Sequence, residues 1–124
     1  MASRYARNSA ILAKIETTYG TDSTPSGSSN AILVSNISLT PLNANNVDRD
    51  LVRNYFGGSG QLVGTAFVEC SFDVEIAGSG TAATATAWGP LLRACGFAET
   101  VTTYVSYSPI STSQESVTIY WYDD

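Results

Sequence analysis

The sequence predicts a mainly β chain: an antiparallel β-sandwich or partly rolled barrel. It carries one short flanking α-helix (about residues 88–96) and a long protruding loop (about 41–61). Three observations predict this. Seven tyrosines accompany many valines, isoleucines and threonines, the residues that fit a pleated surface. Residues 61–77 alternate apolar and polar over a long run. Only one stretch combines a helical period with a helix stop signal. A chain of 124 residues is one domain, long enough to bury a core.

Residues 1–8 are a short basic arm with Arg4 and Arg7, expected to be either mobile or docked on a neighbour. Ser9 to Thr17 fits a strand, with Ala10 and Leu12 on one face and Ile11, Ala13 and Ile15 on the other; a turn or two of helix fits too. Tyr19 to Asn30 is loop, broken by Gly20, Asp22, Pro25 and Gly27. Ala31 to Thr40 is a strand. Its apolar phase changes at Ser35-Asn36, which predicts a bulge, and Pro41 is expected to end it.

The stretch from Pro41 to Gly60 is too long for an ordinary connection, and such loops are functional or disordered. A disordered loop is polar throughout. This one carries Val47, Leu51, Val52, Tyr55 and Phe56 among Asp48, Arg49, Asp50 and Arg53. Apolar groups flanked by both charges describe a surface for another protein chain. The competing reading folds the loop over its own sheet. The glycines at 57, 58 and 60 resemble a phosphate loop, but no lysine and helix follow.

Gln61 to Ala77 is the longest strand. Leu62, Val68, Cys70, Phe72, Val74 and Ile76 line an apolar face expected to cover the core. The other face turns acidic at Glu69, Asp73 and Glu75. Paired carboxylates suit glycoside hydrolysis. With no histidine in the chain and no aromatic subsite, a solvated acidic face is the better reading.

Trp88, Leu91, Leu92 and Cys95 recur at i, i+3, i+4 and i+7, so one helix face is apolar and needs a sheet. Pro90 suits a first turn, Arg93 a last turn, and Gly96-Phe97 a Schellman stop. Val101 to Ser108 is a strand ended by Pro109. Glu115 to Tyr122 is the last strand, with Val117, Ile119 and Trp121 on one face. Asp123-Asp124 then resembles the start of a hairpin turn, so further sheet or another chain's strand is expected there.

A net charge of −5 argues against a basic nucleic-acid surface. The absence of histidine removes the usual general base and the commonest metal ligand. No cofactor, metal site or catalytic set is expected. Cys70 and Cys95 are expected to be buried free thiols of a reducing compartment. No apolar run approaches the roughly 20 residues of a membrane helix.

Four stretches taken together resemble tail tube proteins of long-tailed (siphovirus-like) bacteriophages. They are Leu12-Ala-Lys-Ile-Glu-Thr-Thr-Tyr-Gly-Thr-Asp22, Asn30-Ala-Ile-Leu-Val34, Trp88-Gly-Pro-Leu-Leu-Arg-Ala-Cys-Gly-Phe97 and Ser116-Val-Thr-Ile-Tyr-Trp-Tyr-Asp123. None carries chemistry, so the resemblance rests on their order and joint presence. It implies a virion structural protein and no enzyme. Subunits of this kind form hexameric rings stacked into a tube, with the tape measure, terminator and distal tail proteins as further partners. DNA passes through the lumen without specific binding, past a lining that tends to be acidic. A long loop reaches the next ring. Such proteins assemble in the bacterial host cytoplasm and reside in the virion. By this resemblance Val47, Arg49, Leu51, Val52, Arg53, Tyr55 and Phe56 are interface candidates. Glu69, Asp73 and Glu75 are lumen candidates. The alternatives are a terminator or connector of the same fold, and a monomeric binding module using Tyr104, Tyr107, Tyr120 and Tyr122 as a platform.

Overall fold

A computed structural model describes residues 9–122. The basic arm at 1–8 and the Asp123-Asp124 turn expected from the sequence lie outside the described residues. The fold is mainly β, with three antiparallel sheets and two short helices, and no sheet closes into a barrel among the described residues. By contact density the chain divides into two compact units, one reaching to Ser35 and resuming at Val74, the other spanning Asn36–Asp73.

The first unit holds the buried core. Strand β1 (Ala10–Ile15) lies between β2 (Ala31–Ile32) and β7 (Val117–Tyr122). The register pairs Ile11 with Trp121 and Ile32, so the central strand is covered at both edges. Ile11, Leu12, Ala13 and Ile32 are the buried apolar residues, and Ile11 is fully enclosed. The strand reading of Ser9–Thr17 therefore holds over its central six residues. A one-turn helix, α1 (Gly27–Asn30), sits in the segment expected to be loop.

Helix α2 (Gly89–Ala94) packs on β1, β7 and β5 (Phe97–Val101). It is shorter than the predicted 88–96. Pro90 occupies its first turn, as expected of a residue without an N–H. Gly96 takes the left-handed conformation (φ +89°) and donates to Arg93 O at 3.1 Å, one of the two bonds of the expected Schellman stop. Trp88, Leu91 and Leu92 are half-buried. Cys95 is exposed, and so is Cys70; both are free. The buried-thiol expectation fails for both. Cys95 is the C-cap of the helix, its N–H still bonded to Leu91 O at 3.1 Å, and at this terminal position it is left exposed. Cys70 lies on a sheet face that nothing covers within the chain.

Residues 97–109 form a hairpin, where one strand was expected from 101. Strand β6 (Val105–Pro109) returns on β5, with Val101 opposite Val105 and Phe97 opposite Pro109. The reversal at Thr102–Tyr104 closes with Thr102 N–H donating to Tyr104 O at 3.0 Å. It uses no glycine or proline, so the sequence carries no turn signal there.

Polar side chains tie this unit together. Arg93 grips Glu115 through Nε and Nη2, both at 2.6 Å, and lies 3.9 Å from Glu99. That fork holds Glu115 ionised below the usual carboxylate range. Tyr107 Oη donates to Glu99 at 2.7 Å, and its partly desolvated phenol is pushed up in pKa. Glu16 accepts from Ser116 Oγ at 2.6 Å, Thr118 Oγ1 at 2.9 Å and Gly20 N–H at 3.0 Å, which lowers its pKa. Tyr120 donates to Asp22, lowering that carboxyl as well.

The second unit is a long two-stranded hairpin of β3 (Val34–Asp48) and β4 (Gln61–Val74). Asn36, at φ +51°, takes the left-handed backbone at the expected bulge. Val34 and Ile37, three residues apart, are both half-buried, the phase change read from the sequence. Pro41 does not end the strand. It lies inside β3, which is possible because a two-stranded sheet has two edges and an edge proline need not donate. The loop is therefore 49–60, not 41–61, and Val47 belongs to β3.

Candidate inter-subunit surface

The hairpin of residues 36–73 leaves its apolar side chains in water. Leu39, Leu42, Val47, Leu62, Val63, Phe67 and Val68 are all exposed, Leu42 at 71% and Val68 at 65%. The alternation of β4 predicted a core-covering face, and that expectation fails: Phe72 and Val74 are half-buried and the rest of the strand is exposed. Alternation shows that a face must be covered, but not by which chain. A two-stranded ribbon is marginal by itself, and exposed apolar surface costs about 25 cal/mol per Å² against burial. Large uncovered patches of this kind mark sites of association.

The residues that keep the ribbon in register are polar. Asn36 Nδ2 donates to Asp73 at 2.7 Å near the base, and Gln61 Nε2 donates to Asp48 at 2.5 Å near the loop. Asn43 Nδ2 reaches Glu69 at 3.4 Å between them. Gly64 is required by proximity: a Cβ there would lie 2.8 Å from Asn45 O.

At the tip, Leu51, Val52, Tyr55 and Phe56 are exposed, as are Arg49 and Arg53. Val52 and Phe56 have no covering neighbour at all. Arg53 Nη1 donates to Tyr55 Oη at 2.9 Å and its guanidinium lies 5.8 Å from that ring's centroid. The pair is a pre-formed cation–aromatic unit. The seven interface candidates thus lie along the outer part of one ribbon, six in the loop and Val47 in the strand before it.

The three acidic candidates are all exposed. Glu69 and Asp73 are exposed on β4 within the hairpin, each bonded to an asparagine of β3. Glu75 is exposed too, but follows the end of β4 and belongs to the first unit. There it lines an open groove with Ala31, Ile32, Leu33, Ala85 and Trp88. Among the described residues no cluster of carboxylates, histidines and cysteines is arranged to hold a metal ion. No helix of the described residues is long and apolar enough to cross a membrane. Of the four tyrosines named as a platform, Tyr107 bonds Glu99 and Tyr120 bonds Asp22, while Tyr104 and Tyr122 are exposed.

Sequence reasoning did not single out Val63 and Phe67 as surface residues; both are exposed on β4, which has β3 as its one partner among the described residues.

A long ribbon with uncovered apolar side chains is suited to self-assembly. Residues 6–124 match the family model described as phage tail tube protein. The chain belongs to the phage tail tube protein family. The match spans nearly the whole chain and includes the hairpin, the helix and the last strand. No match was found among curated proteins or among solved structures. Membership gives a virion structural role in the tail tube and implies oligomerisation with other tail proteins.

Proposed function

We propose that this subunit assembles with copies of itself into hexameric rings that stack into the tail tube of a long-tailed phage. Double-stranded DNA passes through that tube during delivery. The observation that carries the proposal is the hairpin of residues 36–73, whose apolar side chains are uncovered within the subunit. A neighbour's surface removes that cost. Head-to-tail contact between unlike patches propagates into an open filament. The loop residues Leu51, Val52, Tyr55 and Phe56 bridge successive rings, while Arg49 and Arg53 set register through charge. Glu69 and Asp73 face the channel, where like charge repels phosphate and lets DNA slide. The role is structural, with no chemistry performed on a substrate. The tape measure, terminator and distal tail proteins meet the ends of the tube.

Electron microscopy of the purified, concentrated protein tests this. Open-ended hollow tubes are expected. Closed rings that never stack would identify a terminator or connector instead, and monomers at all concentrations would contradict the proposal. Deleting residues 50–59 should leave soluble subunits or single rings; normal long tubes from that variant would remove the loop from ring stacking.

A further inference from the structure

We propose that the groove between β2 and the segment from Val74 to Trp88 is the receptacle for the loop tip of a second copy, with Phe56 as the inserted side chain and Arg53 paired with Glu75. The proposal rests on the assembly reading above and names the docking site that it leaves open.

The groove has a volume of about 510 Å³. That lies within the roughly 300–1,000 Å³ of ordinary ligand pockets, enough for aromatic side chains. Its width comes from small residues, Ala31 and Ala85 among them. One wall is the Trp88 indole, fixed in place because its Nε1 donates to Ala77 O at 2.9 Å and its ring lies 5.5 Å from that of Tyr107. The rim is Leu33, which stands 86% exposed beside the buried Ile32. A rigid aromatic wall beside an uncovered aliphatic rim is the usual make-up of an interface hot spot.

The groove has a single ionisable lining residue, Glu75, and it is acidic. The loop tip carries the complementary set. Phe56 and Val52 are wholly exposed, and Arg53 is already aligned on Tyr55. Little ordering of that pair remains to be done on docking, so less entropy opposes it. A second apolar groove, lined by Thr84, Tyr104 and Val105 among others, holds no carboxylate, whereas the groove beside Trp88 offers Glu75 to Arg53.

Cross-linking tests the proposal. In a background of Cys70→Ser and Cys95→Ser, one preparation carries Phe56→Cys and a second carries Ala85→Cys. The two are mixed, assembled, oxidised and run on a non-reducing gel. A disulfide-linked heterodimer is expected, at least tenfold above the yield when Thr21→Cys replaces Ala85→Cys. Tubes of unsubstituted protein seen by electron microscopy report separately on assembly. Tubes without the heterodimer would overturn the groove and leave assembly standing. A heterodimer without tubes would support the groove and remove the tube. An intrachain disulfide between Tyr5→Cys and Ala85→Cys would place the chain's own first residues in the groove and overturn the proposal. Charge reversal gives a second measurement free of cysteines. Arg53→Glu and Glu75→Arg should each lower the sedimentable fraction tenfold or more, and combining both in one chain should restore it. Equal loss in the double variant would exclude the pairing.

Discussion

A methyl group added at Gly89 would lie 2.5 Å from the Tyr107 hydroxyl and 2.9 Å from a Glu99 carboxylate oxygen. Neither group can withdraw freely, because Tyr107 bonds Glu99 and lies against Trp88. Gly89→Ala should therefore cost about 1–3 kcal/mol, the usual price of overpacking, measured by denaturant unfolding. A neutral effect would show that the Tyr107–Glu99 contact yields easily. Glu16 is the second informative residue. Its three donors hold it below its ordinary value of 4.5, so its carboxylate adds stability above that pH. The contribution is lost as pH falls through the lower folded value. Glu115, held down by Arg93, and Asp22, held down by Tyr120, act in the same direction. Acid should thus lower the melting temperature below about pH 4.5. Glu16→Gln should be less stable than the unsubstituted chain at pH 7, and the gap should close on acidification. A gap of equal size at pH 3 and pH 7 would assign the loss to packing rather than charge.

Among the elements, β1 and α2 contribute differently to the core. Ile11 on β1 is fully enclosed between β2 and β7. Ile11→Ala should cost about 2–5 kcal/mol, as for other buried aliphatic residues. Leu92 on α2 is only half-buried, so Leu92→Ala should cost distinctly less, about 1–2 kcal/mol, in proportion to the area lost. Equal losses on chemical denaturation would mean that the helix face is as central as the strand. The elements also separate what the sequence displayed from what it hid. The helix was legible because Pro90, Arg93 and Gly96 mark its ends chemically. Strands β4 and β7 were legible from alternation, while the short β1 segment fitted strand and helix alike. The extension of β3 through Pro41 was hidden, because proline forbids a central strand but not an edge. The β5–β6 hairpin was hidden because threonines and a tyrosine make its turn. Alternation along β4 said that Leu62 and Val68 need cover and carried no information on the covering chain. The candidate loop was legible from apolar residues amid charges. The groove beside Trp88 was not, since it forms from residues between positions 29 and 88 that only the fold collects.

At the scale of the molecule, the two units divide the labour. The described residues up to Ser35 and from Val74 supply the buried core of Ile11, Leu12, Ala13 and Ile32. Asn36–Asp73 supply surface that makes sense only with a neighbour. On the proposed function, a net charge of −5 keeps phosphate from adhering to the channel wall. The central claim is that the uncovered ribbon joins subunits. Electron microscopy of the Leu42→Asp/Val68→Asp variant tests it most directly, at a concentration where the unsubstituted protein forms tubes. Both side chains are exposed in the subunit, so its fold should tolerate the change within about 0.5 kcal/mol. The account predicts folded, dispersed subunits and no tubes. Tubes of normal length from this variant would contradict it.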